Sequence, residues 1–300
     1  MITLRQMRYF EALAASRHFG RAAERVHVSQ PALSAQIMQM EEQLGVKLVE
    51  RSRGNTILTR KGEEILGHVR AILAELERLE QTARRGDGIL GGLTRIGIIP
   101  TVAPYLVPKL VPHLRDAHPL MEIELKEAIT DRLIGDLLEG RLDLVIAALP
   151  IDAEAVATRP VFRDRFYMAM ASNDSEVLMS PLSESDVDVD RLLLLEEGHC
   201  LRDQALAVCG TAGRRSLVNF GATSMATLLQ MVSHDMGMTL IPEIAVPTET
   251  ARNAIRVVPF AEPQPARDIG LAWRRGHLSE EETEAIAEAI SRCAEVQRAA

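Results

Sequence analysis

The stretch HVSQPALSAQIMQMEEQLG, residues 27–45, has the pattern of a tight turn that leads into one amphipathic helix. Ser29 can cap the start of this helix, and Pro31 falls in the first turn, where a missing N–H costs nothing. Gly45 is typical of a helix end. Between these positions, apolar residues recur at helical spacing and predict one buried face: Leu33, Ile37, Met40 and Leu44.

Two helical patterns, LRQMRYFEALAAS and GRAAERV, precede this stretch, and a hairpin pattern, KLVERSRGNTILT, follows it. Two helices joined by a tight turn predict a helix-turn-helix, and the basic hairpin predicts a wing. We expect the front of the second helix to enter a DNA major groove and the wing to lie on phosphates. The alternative is a three-helix bundle that binds protein. The residues predicted to contact DNA are Ser29, Gln30, Pro31, Ser34, Met38, Arg51 and Arg53.

Charge is distributed unevenly along the chain. Residues 1–61 hold ten Arg and Lys against five Glu, whereas the whole chain has a net charge of −8. A basic head on an acidic body indicates a polyanion partner, double-stranded DNA, for the head alone. The alternative is an ordinary solvated charged surface.

A long helix is predicted from Thr59 to about Arg84. Its apolar residues step by 4, 3, 4 and 3, which is the heptad spacing of a coiled-coil seam: Ile65, Val69, Ile72, Leu76 and Leu79. We expect this seam to pair two heads, and the alternative is a helix that packs on its own body. The stretch RRGDGILGG, residues 84–92, is typical of a flexible hinge.

Strand and helix patterns alternate after Leu93, which predicts an α/β body with a mainly parallel sheet and two small lobes around a cleft. Ligands in such folds lie beyond the carboxyl ends of strands, which points to Thr101 and Thr130. Both threonines are also good helix caps, and the two roles are compatible. The predicted domains are a winged helix-turn-helix over 1–61, a linker helix and hinge over 62–91, and a two-lobed α/β regulatory domain over 92–300.

The class of protein follows from what the sequence lacks. No apolar run is as long as a membrane span, and the N-terminus has no signal-peptide pattern, so a cytoplasmic protein without membrane contact is expected. Phosphate-binding glycine loops, nucleophile-elbow serines and zinc-protease motifs are missing. We therefore predict no enzymatic activity, no cofactor and no metal.

The stretch LEEGHCLRDQALAVCG, residues 195–210, holds two of the three cysteines. Cys200 and Cys209 are separated by a predicted helix, which would hold their Cα atoms roughly 13 Å apart. A disulfide needs them within about 7 Å. Either these thiols never meet, as two unrelated buried cysteines, or they meet only after the helix comes apart. A metal site with His199 lacks the usual ligand spacing, and Cys293 is expected only to pack in the terminal helix.

The head SQPALSAQIMQMEEQLGVKLVERS, with LTRKG after it, resembles that of the LysR-type transcriptional regulators, and the resemblance covers nearly the whole chain. Within that family, GIIPTVAPYLVPKLVP, LLEEGHCLRDQALAVC and FGATSMATLLQMV are similar to the OxyR branch, which senses hydrogen peroxide. The resemblance implies a winged helix-turn-helix, a periplasmic-binding-protein-like effector domain and a homodimer or homotetramer. It also implies promoter DNA, RNA polymerase and a thiol reductant as partners.

The resemblance to the OxyR branch implies that Cys200 reacts with peroxide and that Cys209 then resolves it as a disulfide. The chemistry is consistent, because Cys200 falls at a helix start, which favours a thiolate, and His199 and Arg202 would add positive charge. The alternatives are a regulator that senses a metabolite in the cleft, and a thiol peroxidase, which would give the basic head no role. The peroxide pocket implied by the resemblance contains Thr101, Thr130, His199, Arg202, Asp203 and Arg267.

Two segments depart from the pattern of the OxyR branch. MAMASNDSEVLMSPLSESDV lacks the His-Pro pair expected after the corresponding strand, and VCGTAGRRSLVNF is locally its own sequence around Cys209. Neither contains Cys200, but the second is expected to change how fast or how fully the disulfide closes.

Overall fold

The computed structural model describes residues 1–52, 55–84, 89–174, 180–183, 186–209 and 222–299. The chain divides into two compact units, each with its own apolar core. The first comprises Met1–Arg85 with Leu138–Arg141, and the second comprises Gly86–Leu137 with Leu142–Ala300.

The first unit is a winged helix-turn-helix, as predicted. An antiparallel hairpin of β1 and β2 forms the wing. Its core contains Phe10, Leu13, Leu33 and Ile37, all fully buried. Its helices are α1 (Leu4–Ser16), α2 (Phe19–Arg25), α3 (Gln30–Leu44) and α4 (Arg60–Arg84), and its strands are β1 (Val49–Ser52) and β2 (Asn55–Leu58).

The ends of α3 confirm the predictions made for them. The Ser29 hydroxyl accepts a hydrogen bond from the Ala32 N–H, and Gly45 takes a left-handed conformation with φ 69°. The preceding helix α2 is capped by an imidazole instead, since His18 Nδ1 accepts from the N–H groups of Gly20 and Arg21. These caps fix both ends of α3 and the start of α2.

A buried carboxylate connects α3 to the wing. Glu41 Oε1 accepts from the backbone N–H groups of Leu48 (2.8 Å) and Val49 (3.3 Å), and Oε2 accepts from Lys47 Nζ at 2.7 Å. Burial on its own raises the pKa of Glu41, but these hydrogen bonds hold it below its ordinary value of 4.5. The carboxylate is thus a fixed joint between the second helix of the motif and the strand that follows it.

The two halves of the heptad seam of α4 lie in different environments, one packed in the core of the head and one exposed. Val69 is buried in the core of the head and Ile65 packs against that core, so this part of the seam is occupied within the same chain. Ile72 is 44% exposed and Leu79 is 65% exposed. Only the second half of the predicted seam is therefore open to a partner.

The second unit contains a seven-stranded sheet flanked by six helices among the described residues. Strand order is β4-β3-β5-β9-β6-β7, with β8 also paired to β6. The strands are β3 (Gly92–Ile98), β4 (Met121–Glu127), β5 (Leu144–Leu149), β6 (Val156–Ala171), β7 (Thr239–Pro242), β8 (Ile255–Pro259) and β9 (Ala266–Arg274). The helices are α5 (Ala103–Ala117), α6 (Thr130–Leu138), α7 (Cys200–Val208), α8 (Met225–Ser233), α9 (Val246–Arg252) and α10 (Glu280–Arg298).

The prediction of a mainly parallel sheet is wrong. Among the strands of the described residues, only β3 pairs in parallel, with β4 and β5, whereas every pairing of β6 and β9 is antiparallel. The long strand β6 belongs to both lobes, because its first part pairs with β9 and its last part, from Phe166, pairs with β7 and β8. The two-lobed α/β architecture itself is confirmed.

No helix in the described ranges is long and apolar enough to cross a membrane.

Candidate functional site

Helix α7 separates the two cysteines, as predicted. Cys200 is its first residue and Cys209 is its C-cap, whose N–H donates to the Ala205 carbonyl at 3.0 Å. Neither forms a disulfide. Cys200 is half-buried, whereas Cys209 is buried with 7% of its surface exposed. The first thiol can meet a small solute, and the second packs as an apolar side chain.

The start of α7 is open to an anion. Gly198 turns the chain into the helix with φ 92°, and His199 is the N-cap but makes no side-chain hydrogen bond to the helix. No side chain therefore caps the first turn of α7, whose Arg202 N–H donates to the His199 carbonyl at 2.9 Å.

His199 does not supply the positive charge expected of it. The side chain is buried, and this burial lowers its pKa below the ordinary value of 6.5, against an opposing effect of Glu196. The imidazole is therefore neutral at neutral pH and can act only as a hydrogen-bonding group. Arg202 is partly buried and donates from Nη1 to the Leu195 carbonyl at 2.9 Å, which ties the first turn of α7 to the preceding segment.

Thr101 binds an arginine instead of capping a helix. The N-cap of α5 is Val102, so the cap role expected of Thr101 is wrong. The Thr101 hydroxyl accepts from Arg267 Nη1 at 2.8 Å, and its carbonyl accepts from Nη2 at 3.3 Å. Both residues are buried, which fixes this pair of predicted pocket residues together.

Thr130 begins α6, and the residue before it packs close to Gly198, two residues before Cys200. A Cβ on Gly198 would stand 3.0 Å from Cδ1 of Ile129, the residue before Thr130. The Thr130 hydroxyl oxygen is buried and makes no hydrogen bond within the described part of the chain. A buried hydroxyl without a partner is expensive, so this oxygen is suited to a ligand or a water.

Two polar residues with buried side-chain oxygens, Gln204 and Asp164, were missed from the sequence. Gln204 follows Cys200 by one helical turn, and its Oε1 is buried without a hydrogen bond among the described residues. Asp164, fully buried on β6, pairs with Arg267 at 2.9 Å. The i, i+4 spacing to Cys200 was a usable indication for Gln204, but nothing in the sequence connects Asp164 with a residue 103 positions later.

The remaining predicted residues fall in three groups. Asp203 is exposed in the first turn of α7. The front of α3 is accessible, since Ser34 is partly exposed and the other four predicted DNA contacts on this face are exposed: Ser29, Gln30, Pro31 and Met38. The side chain of Arg51 and the whole of Arg53 lie outside the described residues, as do residues 85–88 of the hinge at 84–92 and residues 210–221. No group of three or more His, Cys, Asp and Glu side chains that could hold a metal occurs in the described ranges.

The sequence matches two family models over most of its length. Residues 4–63 match the bacterial regulatory helix-turn-helix protein model of the lysR family, and residues 88–294 match the LysR substrate binding domain. The chain belongs to the LysR family. As in other LysR-family regulators, the head is a DNA-binding module of transcriptional control.

Among curated proteins, this LysR-family chain is 39% identical over 289 residues to the DNA-binding transcriptional dual regulator OxyR of Escherichia coli K12, covering 96% of this chain and 95% of that protein.

Among solved structures, a full-length cysteine-to-aspartate variant of OxyR from Pseudomonas aeruginosa matches with a TM-score of 0.78 and 34% identity, covering 98% of this chain and 99% of that one. A cysteine-to-serine variant of Corynebacterium glutamicum OxyR with bound hydrogen peroxide matches with a TM-score of 0.65 and 33% identity, covering 100% of this chain and 96% of that one.

Proposed function

We propose that this LysR-family regulator senses hydrogen peroxide and controls oxidative-stress genes through a reversible disulfide between Cys200 and Cys209. The observation that carries the proposal is a short helix with a half-buried cysteine at its open start and a buried cysteine at its end. Similarity to OxyR proteins over nearly the whole chain supports it.

The reaction has two steps. The Cys200 thiolate attacks one oxygen of the peroxide, the O–O bond breaks, and the departing hydroxide takes a proton to become water, which leaves a sulfenic acid on Cys200. The Cys209 thiolate then attacks that sulfur, the S–S bond forms, and the sulfenic oxygen leaves as a second water. Two thiols are oxidised and one peroxide is reduced. A dithiol reductant restores both thiols by exchange through a mixed disulfide.

The pocket for the first step combines groups from four segments of the second unit. The neutral imidazole of His199 lies next to Cys200 in the chain, and the hydroxyl of Thr130 and the amide of Gln204 have hydrogen-bonding capacity that the described residues do not use. Thr101 and Arg267 supply a hydroxyl and a guanidinium that are hydrogen-bonded to each other. We assign Arg202 to holding the first turn of α7 through the Leu195 carbonyl, and Asp203 to the exposed rim.

The second step requires α7 to unfold locally, because nine residue steps of helix hold the Cα atoms roughly 13 Å apart. Closing a loop of this length stabilises the oxidised form by up to about 3 kcal/mol. The helix that is lost is short and has few buried side chains, mainly Leu201 and Ala205. Two packings of similar free energy are what a conformational switch requires.

The same proposal assigns a role to each of the three predicted domains. Residues 1–61 bind promoter DNA, 62–91 join two chains into a dimer that can pair into a tetramer, and 92–300 carry the sensor. The exposed apolar side chains of Ile72 and Leu79 support the dimer role of α4. Oxidation would change the spacing of paired heads on the operator and the contact of the regulator with RNA polymerase.

The test is peptide mass spectrometry of the reduced full-length protein after a stoichiometric pulse of hydrogen peroxide. We expect rapid and nearly complete formation of the Cys200–Cys209 crosslink, reversed by a dithiol. The matched control Cys293→Ser should close at the wild-type rate, and Cys209→Ser should stop at the sulfenic acid.

Two results would overturn the proposal. Slow oxidation spread over all three cysteines would make them bystanders. A metabolite that shifts the thermal unfolding and the DNA footprint of Cys200→Ser would identify a small-molecule effector in place of peroxide.

A further inference from the structure

Asp164 is a fully buried carboxylate that no step of the proposed reaction uses. It lies on β6 just before the point where this strand passes from β9 to β7 and β8. Its Oδ1 accepts from the Ile244 N–H at 3.0 Å, and its Oδ2 accepts from Arg267 Nε at 3.0 Å. The carboxylate is held by backbone on one side and holds a guanidinium on the other.

The two partners of Arg267 occupy different edges of its planar guanidinium. Asp164 takes the edge formed by Nε and Nη2, with Nη2 at 2.9 Å, and the ring of Phe166 lies 5.8 Å from Cζ. The group is thereby fixed in its plane, so Nη1 is directed at the Thr101 hydroxyl. Among the described residues, these contacts use four of the five N–H bonds of the guanidinium and leave one hydrogen on Nη1 for a ligand.

The arrangement also orients Thr101. Because its Oγ1 accepts from Arg267, the hydroxyl hydrogen must point away from the guanidinium and can donate elsewhere. A free arginine side chain has many rotamers and would not hold this geometry by itself. Within the described residues, Asp164 is the only carboxylate within 4 Å of Arg267. Burial raises the pKa of the Asp164 carboxyl, and the guanidinium opposes that rise.

We propose that Asp164 is a positioning residue for the peroxide reaction: through two contacts with Arg267 it sets the direction of the Thr101 hydroxyl and of the unused Nη1 hydrogen. It does not touch the peroxide. This inference rests on the proposed function, because it assigns Arg267 and Thr101 to the peroxide pocket. Hydrogen bonds from a preorganised donor pair stabilise the negative charge that develops on the departing oxygen.

The test compares two reactions of Cys200 in the full-length Cys209→Ser background, where the sulfenic acid accumulates. Reaction with hydrogen peroxide needs the oriented donors, whereas alkylation by iodoacetamide needs only an accessible thiolate. We expect Asp164→Asn to lower the rate constant for peroxide at least tenfold and to leave the alkylation rate within twofold. Asp164→Glu, which keeps the charge, should recover part of the loss.

A matched control removes a different, partly buried carboxylate. Asp143 accepts hydrogen bonds from the Arg95 N–H and pairs with His277, remote from Arg267 in this network of contacts. Asp143→Asn should lower the melting temperature without changing either rate. If Asp143→Asn slows the peroxide reaction equally, or if Asp164→Asn slows both reactions of Cys200 together, Asp164 has only a structural role.

A double substitution tests whether misfolding causes the loss of rate. Removing either Asp164 or Arg267 alone leaves an unpaired buried charge, whereas removing both does not. If Asp164 acts through Arg267, then Asp164→Asn with Arg267→Gln should react with peroxide as slowly as Arg267→Gln and no more slowly. A double variant with the wild-type peroxide rate overturns the inference. Failure of the proposed function would give a different result. In the protein without substitutions at Asp164 or Arg267, peroxide would then oxidise Cys200 no faster than Cys293.

Discussion

The Cys200 side chain stands at the first position of α7, directly after a neutral imidazole that makes no side-chain hydrogen bond to the helix. The head of the molecule has a separate core, which contains no cysteine. Chemistry at this sulfur and DNA binding by the head are therefore separable by substitution.

Cys200→Ser should abolish the response to peroxide and leave DNA affinity unchanged. The reason is that serine keeps the size of the side chain, while its hydroxyl does not react with peroxide as a thiolate does. Operator binding measured by fluorescence anisotropy, with and without peroxide, checks this, and Cys293→Ser serves as the control. Loss of affinity in the reduced Cys200→Ser protein would contradict separate roles for head and body.

At the scale of elements, Glu41 fixes the wing to α3, and its substitution should weaken both the head and its grip on DNA. Glu41→Gln keeps the shape but loses the charged acceptor of three hydrogen bonds, so we expect about 1–3 kcal/mol less stability at pH 7. Because the folded-state pKa of Glu41 lies below 4.5, this contribution is complete above the unfolded pKa and disappears as the pH falls through the folded one.

Thermal unfolding of wild type and Glu41→Gln at pH 7 and pH 3 checks this prediction. The difference in melting temperature should shrink at the lower pH. Operator affinity should fall about equally on all sequences, because the wing contacts phosphates. An unchanged difference at both pH values would show that the carboxylate charge is irrelevant.

Helix α7 exists only in the reduced form of the proposed switch, so weakening it should favour the disulfide. Ala207 is exposed near its end, and Ala207→Gly should destabilise the helix by about 1 kcal/mol. By the two-electron relation, this lowers the reduction potential of the pair by about 20 mV. Redox titration against glutathione measures the shift. Glu288→Gly, exposed on α10, should leave the potential unchanged.

The sequence predicted the helices better than the strands, for physical reasons. Helix α3 carried its own cap, stripe and stop, and α5 kept its apolar periodicity despite Pro108 and Pro112. Strand β6 was missed, because charged residues interrupt it and Pro160 precedes an irregularity in its pairing. Its neighbour β9 comes from a segment about 100 residues later, and the sequence contains no local information about antiparallel pairing over that distance. The Asp164–Arg267 pair was missed for the same reason.

At the scale of the whole molecule, the charge and the apolar surface of the chain are separated. Residues 1–61 carry a net charge of +5 and the rest of the chain carries −13, which together give −8. The exposed apolar side chains on α4 occupy the half of its seam that the head does not cover. The head alone is expected to approach DNA, and α4 is expected to bring a second head alongside it.

Leu79→Asp should therefore weaken self-association without unfolding the head. Leu79 is 65% exposed, so its loss removes little packing within the chain, while a carboxylate in a paired seam would be strongly unfavourable. Sedimentation velocity of the purified protein measures the association state. Val69→Ala, which alters a buried position of the same seam, should lower stability and leave self-association intact. An unchanged dimer in Leu79→Asp would place the contact elsewhere.

The helix between the two cysteines also limits the range of doses that the proposed sensor can report. Attack on the half-buried sulfur of Cys200 needs no unfolding of α7, whereas disulfide closure must wait for α7 to open. During that interval a second peroxide can carry the sulfenic acid to a sulfinic acid, which thiol reductants do not reverse. The output should rise with dose, reach a ceiling, and fall once the second oxidation outpaces opening. A more stable α7 would make disulfide closure rarer at low peroxide concentration. It would also make irreversible oxidation of Cys200 more frequent at high concentration.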